Sequence, residues 1–175
     1  FTVPAEGPSD KYSPTFEKLV SMADQVYVLC VDCAEVSVPS AWRDKVLLVD
    51  GKRIDDCVED HHMDHWHRAT FSHAIAVSHA RARGFGNVAI VEDDARSDFT
   101  VVFSDADYED FATLLKQPGS WNFIRLGWRP YALETSIGDG CPRQCRCTEV
   151  VGARTCAVES SGCDLRSSDA YLVGR

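Results

Sequence analysis

The apolar and polar positions along the chain predict strands alternating with helices. Residues 25–31 (QVYVLCV) form a β-branched and aromatic run, the pattern of a strand buried on both faces. Residues 45–50 (KVLLVD) predict a second strand, closed by Gly51. Residues 88–91 predict a short apolar third, residues 121–126 (WNFIRL) a fourth, and residues 169–173 a last apolar segment. Between these runs the period lengthens. Residues 16–23 predict a short amphipathic helix, and residues 108–116 predict another, ended by Pro118-Gly119. The longest helix is predicted over residues 66–83. Its apolar face would be Phe71, Ala74, Ile75, Ser78 and Ala82, and Gly84 fits the C′ position.

The remaining segments lack such periodicity. Residues 1–15, rich in Pro, Ser, Gly and charge, read as an extended lead-in. Residues 55–67 are acidic and histidine-rich and read as a solvated loop or a helix start. Residues 136–163 are rich in Gly and Cys and read as a disulfide-stapled loop region. No internal repeat or domain boundary is visible, so residues 16–175 are expected to form one α/β domain with a mostly parallel sheet.

Charge and composition narrow the partners. The net charge is −9 with no basic cluster, which argues against nucleic acid and anionic membrane surfaces. No apolar run approaches the roughly 18 residues that span a bilayer, so membrane insertion of this segment is not expected. The first residues lack the basic start and apolar stretch of a signal peptide. The chain is therefore read as starting after processing or as an excised segment.

The eight cysteines point to a compartment. Cys30, Cys33 and Cys57 lie in the N-terminal half, and Cys141, Cys145, Cys147, Cys156 and Cys163 in the C-terminal half. Disulfides are the leading reading, which places the chain in the secretory pathway lumen (ER or Golgi) or outside the cell. Three and five are odd, so full pairing requires at least one bond between the halves. Eight cysteines allow about 105 connectivities, and spacing does not choose among them. The alternatives are zinc held by Cys141, Cys145 and Cys147 with Cys156 or Cys163, or a redox role for Cys30-Val-Asp-Cys33. The two asparagines, Asn87 and Asn122, stand in no glycosylation sequon.

Candidate chemistry concentrates at Glu92-Asp93-Asp94, where an apolar strand runs directly into three carboxylates. In open α/β sheets ligands bind outside the carboxyl ends of strands. Crowded carboxylates repel one another, and a divalent cation relieves that repulsion. Mg²⁺ or Mn²⁺ fits such hard oxygen ligands, taking one or two protein carboxylates and completing its shell with phosphate. The plain alternative is a solvated acidic turn. His61, His62, His65 and His67 cluster without a tetrahedral ligand pattern and read as a solvated loop. His73 is either a pocket residue or a buried structural one; His79 reads as structural. Trp128, Arg129 and Tyr131 could flank an acceptor or a phosphate. No nucleophile elbow, P-loop or dinucleotide fingerprint is present, which removes those hydrolase, P-loop and Rossmann dehydrogenase readings.

Phe71-Ser72-His73-Ala74 and Val88-Ala-Ile-Val-Glu92-Asp93-Asp94 stand in order, with 18 residues between His73 and Glu92. Together they resemble the glycosyltransferase family 25 domain of lipooligosaccharide glycosyltransferases and collagen galactosyltransferases. Val26-Tyr-Val-Leu29, Phe123-Ile-Arg-Leu126-Gly127 and Asp169-Ala-Tyr171-Leu-Val173 extend the likeness over residues 25–175. The resemblance implies a GT-A-like (Rossmann-like) fold and metal-dependent transfer of a hexosyl group. The donor would be a nucleotide-sugar, usually a UDP-sugar, and the acceptor a hydroxyl of a glycan or protein. It implies that Asp94 holds the metal, with Glu92 and Asp93 in support or on the donor, and that Ser72 and His73 line the donor site. It further implies inversion at the anomeric carbon, which requires a general base; Glu134, Asp139 and Asp169 are the candidates. Members of that family continue well beyond the position of Arg175, so the chain reads as either a C-terminally truncated domain or a divergent short member. The alternative function is a catalytically silent, disulfide-stapled secreted binding or interaction domain on the same fold.

Overall fold

The computed structural model describes residues 1, 5–6, 11–55, 65–97, 99, 102–117, 121, 123–126, 147–150, 156–158 and 170–174. In chain order its elements are β1 (Ala5–Glu6), α1 (Pro14–Ser21), β2 (Gln25–Cys30), β3 (Ser37–Val38) and β4 (Val46–Asp50). There follow α2 (Gly51–Asp55), α3 (His65–Arg83), β5 (Asn87–Glu92), α4 (Asp105–Leu115) and β6 (Phe123–Arg125). The last strands are β7 (Cys147–Val150), β8 (Cys156–Val158) and β9 (Ala170–Gly174). A 3₁₀ turn at Cys33–Glu35 precedes β3, and another at Ser40–Lys45 precedes β4.

The central sheet has the order β4-β2-β5-β9-β6. β4 and β5 both pair parallel to β2, whereas β9 runs antiparallel to β5 and β6. Four strands therefore share one direction, and β9 is reversed between two of them. This is the mixed α/β, mostly parallel sheet that the alternating pattern predicts. β1 pairs with β3 and β7 with β8 in two small separate sheets. The remainder of the cysteine-rich stretch 136–163 lies outside the described residues.

Alternation along the strands divides the core into two layers. Val26, Val28 and Cys30 of β2 pack with Val46, Leu48, Ala89, Val91, Ala170 and Leu172 against Phe16, Val20, Trp42 and Phe111. Tyr27 and Leu29 pack with Val49, Val88, Ile90 and Tyr171 against Ala76 and Ala80 of α3. Trp42 is fully buried, and its indole N–H donates to the Glu17 carbonyl at 3.0 Å, so its one polar atom is satisfied.

Helix boundaries follow their caps. α1 starts at Pro14, two residues earlier than periodicity suggests, because the Ser13 hydroxyl accepts from the Phe16 N–H at 3.3 Å and proline favours the first turn. α4 starts at Asp105 because Ser104 and Asp107 form a reciprocal capping box. α3 ends as expected, with Gly84 in the left-handed region at φ 75°.

The face of α3 requires correction. Phe71, Ala74, Ser78 and Ala82 are exposed, and Ser72, His73, Ala76, His79 and Ala80 face the sheet. Hydrophobic periodicity fails here because the sheet surface beneath is already filled by Tyr27, Ile90 and Tyr171. Small side chains then permit close approach, and two histidines meet two tyrosine hydroxyls. The Tyr27 hydroxyl lies 2.8 Å from His79 Nδ1, and burial, with the nearby Arg83 charge, holds His79 below its ordinary pKa. Cys30 and Cys33 form a disulfide, with Cα atoms 5.2 Å apart, across the turn that leaves β2.

Gly174 of β9 lies against Trp121. A Cβ there would stand 2.9 Å from the indole ring and 3.0 Å from the Trp121 carbonyl oxygen. The carbonyl belongs to backbone and yields little. Gly174→Ala is expected to lower the unfolding free energy in urea by about 1–3 kcal/mol, the usual range for overpacking.

Candidate functional site

β2 and β5 are adjacent parallel strands whose onward connections diverge. From β2 the chain passes to β4 on one side, and from β5 it passes through α4 to β6 on the other. Such a switch point opens a crevice at the carboxyl ends of the two strands. A cleft of about 480 Å³ lies there. Leu29, Cys30 and Val31 line it from β2, Gly51 from the end of β4, and Glu92, Asp93 and Asp94 from β5. Arg68, Ala69, Ser72 and His73 of α3 form the remaining wall.

Register explains the placement. Leu29 is the partner of Glu92 in the parallel ladder, so the acidic turn emerges level with the end of β2. The Asp93 N–H donates to the Leu29 carbonyl at 2.8 Å, and the Val31 N–H reaches back to the Asp93 carboxylate. Residues 11–13 brace this turn from outside. The Lys11 ammonium donates to the Asp93 carbonyl at 3.1 Å, the Ser97 N–H donates to the Lys11 carbonyl, and the Ser13 N–H to the Ser97 hydroxyl.

Alternation places Glu92 on the same face as Val88 and Ile90, toward α3. Tyr171, the ladder partner of Ile90, projects to that face as well. Between them sits His73. Its Nε2 lies 3.0 Å from Glu92 Oε1, and its Nδ1 lies 2.5 Å from the Tyr171 hydroxyl. A carboxylate only accepts, so a neutral His73 donates from Nε2 and accepts the Tyr171 proton at Nδ1. Burial and the Glu92 charge raise the Tyr171 pKa, which keeps that donor protonated. Ser72 is buried, and its hydroxyl donates to the Arg68 carbonyl at 3.0 Å.

The three carboxylates meet the cleft differently. Glu92 is half-buried and tied to His73; Asp93 is half-buried on the Val31 amide; Asp94 is exposed. Burial raises the Asp93 pKa most, and Asp94 and Glu92 raise it further against the Val31 hydrogen bond and the Lys11 charge. The same charges reach Tyr12, whose pKa is pushed up to about 12, first by burial and then by Asp93 and Asp94. Among the described residues, no three His, Cys, Asp or Glu side chains make a ready-made metal cage. The donor set nonetheless suits Mn²⁺ or Mg²⁺ that arrives with a phosphate ligand. Such an ion needs only one or two carboxylates, which Asp94 and Asp93 offer at the cleft lining, and it would offset both the burial cost of the Asp93 charge and its repulsion by Asp94 and Glu92.

Ser72, His73, Glu92, Asp93 and Asp94, separated in sequence, thus share one cleft. Glu134, Asp139 and Asp169 lie outside the described residues, as do His61, His62, Trp128, Arg129 and Tyr131. The sequence reading assigned no role to Tyr171, Tyr12, Lys11 or Arg68. Strand alternation signals Tyr171; the others come from long-range packing with no local mark. No helix among the described residues is long and apolar enough to cross a membrane. Comparison with protein-family models, with curated proteins and with solved structures finds no match for this chain.

The burial of Asp93, with the neighbouring carboxylates, has a stability consequence. Its folded-state pKa is raised above 3.8, so the folded protein holds the proton more tightly than the unfolded chain. The resulting destabilisation is absent below that value, grows as pH rises through the folded pKa, and is fully present above it. Asn keeps an acceptor for the Val31 N–H and removes the charge. Without divalent cation, Asp93→Asn is expected to raise the urea midpoint at neutral pH, with a gain in unfolding free energy under about 1 kcal/mol at this half-buried position, and to lose that gain below about pH 4. A lower midpoint at neutral pH would show that the Asp93 charge is favourably paired.

Proposed function

We propose that this domain is a metal-dependent glycosyltransferase that binds a nucleotide-sugar, with a UDP-sugar as donor, and passes a hexosyl group to a hydroxyl of a glycan or protein. The carrying observation is the convergence of Glu92, Asp93, Asp94, Ser72 and His73 on one cleft at the switch point of the sheet. Those are the residues that carry the resemblance to glycosyltransferase family 25. The mixed α/β sheet is compatible with a GT-A-like fold, and the Cys30–Cys33 disulfide suits an oxidising lumen or the cell exterior.

The residues take distinct roles in this reading. Asp94, exposed at the cleft, and Asp93 beside it would hold Mn²⁺ or Mg²⁺. The ion, when bound, supplies neutralisation of the charge that builds on the leaving diphosphate. Glu92, oriented by His73, presents a carboxylate of fixed geometry to the donor. His73 fixes that carboxylate and in turn is fixed by Tyr171, so it acts as a positioning residue. Deprotonation of the acceptor falls to a base among Glu134, Asp139 and Asp169.

Calorimetric titration with UDP, with and without Mn²⁺, tests the reading. Binding is expected to depend on Mn²⁺ and to weaken at least ten-fold in Asp94→Ala, since charge-assisted contacts contribute about 1.5–3 kcal/mol. A wild-type domain that binds no UDP at millimolar concentration with Mn²⁺ would sink the transferase reading. Metal-dependent UDP binding without turnover of any UDP-hexose would favour the silent binding domain.

A further inference from the structure

We infer that Arg68 is the anion anchor of the cleft, the cationic lining group that grips the diphosphate beside the carboxylates. The inference rests on the function proposed above and names a residue that the resemblance does not supply.

The lining of the cleft carries both signs. Glu92, Asp93 and Asp94 make one wall acidic, and Arg68 is the only Lys or Arg among the described lining residues. Lys11 does not substitute, because it holds the Asp93 carbonyl and is not part of the lining. An arginine keeps its charge at every pH the protein meets, and its planar fork matches the oxygens of a phosphate.

Two signs in one cleft discriminate among ligand classes. A free divalent cation is attracted by the carboxylates and repelled by Arg68. A phosphate without a metal is attracted by Arg68 and repelled by three carboxylates. A neutral sugar gains little from either charge. A metal-bridged diphosphate is complementary to both walls at once. The cleft, at about 480 Å³, lies in the usual range for small-molecule sites.

The backbone that carries Arg68 is well fixed. It stands one helical turn before Ser72, whose hydroxyl donates to the Arg68 carbonyl at 3.0 Å. One residue further on, His73 is clamped between Glu92 and Tyr171. Ala76 and Ala80 hold the same helix against the sheet. The helix segment that bears Arg68 is therefore fixed relative to the strand end that bears the carboxylates.

Wild type, Arg68→Gln and Arg68→Lys should be titrated with UDP and with UMP, each with Mn²⁺, and with Mn²⁺ alone. Circular dichroism checks the fold of each. Arg68→Gln is expected to weaken UDP about ten-fold or more and UMP less, so the preference for the diphosphate collapses. Binding of Mn²⁺ alone should be unchanged or tighter. Arg68→Lys, which keeps the charge but loses the fork, should fall between and carries the test if the Gln variant does not fold. Unchanged UDP affinity in a folded variant overturns the Arg68 assignment and leaves the proposed function standing. Weaker binding of Mn²⁺ alone also overturns it, since Arg68 would then be supporting the carboxylates. A wild type that binds no UDP with Mn²⁺ overturns both.

Discussion

The parallel register between β2 and β5 is the constraint on which the rest of the structure depends. Every residue of β2 is buried, so the cleft opens only at that strand's carboxyl end. Pairing Leu29 with Glu92 brings the acidic turn out level with that end. The hydrogen bond from the Asp93 N–H to the Leu29 carbonyl then continues the ladder one step past the strand. A slip of one residue would turn Glu92 away from α3 and Val91 out of the opposite core layer. The cleft is thus a product of strand pairing first and of side-chain chemistry second.

Charge explains why the arrangement is asymmetric. Three consecutive carboxylates on one loop repel, and the fold disperses them. Glu92 is turned to a histidine, Asp93 to a backbone amide, and Asp94 to solvent. Burial first, and the neighbouring carboxylates second, raise the pKa values of Asp93 and Tyr12, so dispersal leaves part of the repulsion in place. The uncompensated part of that field is what would draw a divalent cation into the cleft.

Strands were the most legible part of the sequence, because buried runs such as residues 25–30 need no tertiary information to be recognised. Helix ends were legible where a local signal exists, as at Gly84, and shifted where Ser13 and Ser104 cap earlier than the apolar pattern begins. The buried face of α3 was misread for a physical reason. Hydrophobic periodicity assumes an apolar interface, and this helix buries Ser72 and places His73 and His79 against tyrosines supplied by distant strands. The acidic cluster and His73 were legible as a motif. Their direct contact, and the part played by Tyr171 98 residues further along, arise from the antiparallel pairing of β9 with β5.

The Cys30–Cys33 bond sharpens what full oxidation of the chain would require. Removing that pair leaves Cys57 as the last cysteine of the N-terminal half, facing five in the C-terminal half. If all eight are paired, Cys57 must then join one of those five, and the other four close among themselves. The connectivities fall from about 105 to about 15, and every one of them contains a single bond between the halves. That bond would tether the chain eight residues ahead of His65, where α3 begins. α3 carries Arg68, Ser72 and His73, which line the cleft together with the carboxylates. A covalent tie at that point would restrict how far this wall can move from the sheet. The cysteine framework, at first sight a matter of stability and compartment, would therefore also act on the geometry in which the candidate site receives its ligand.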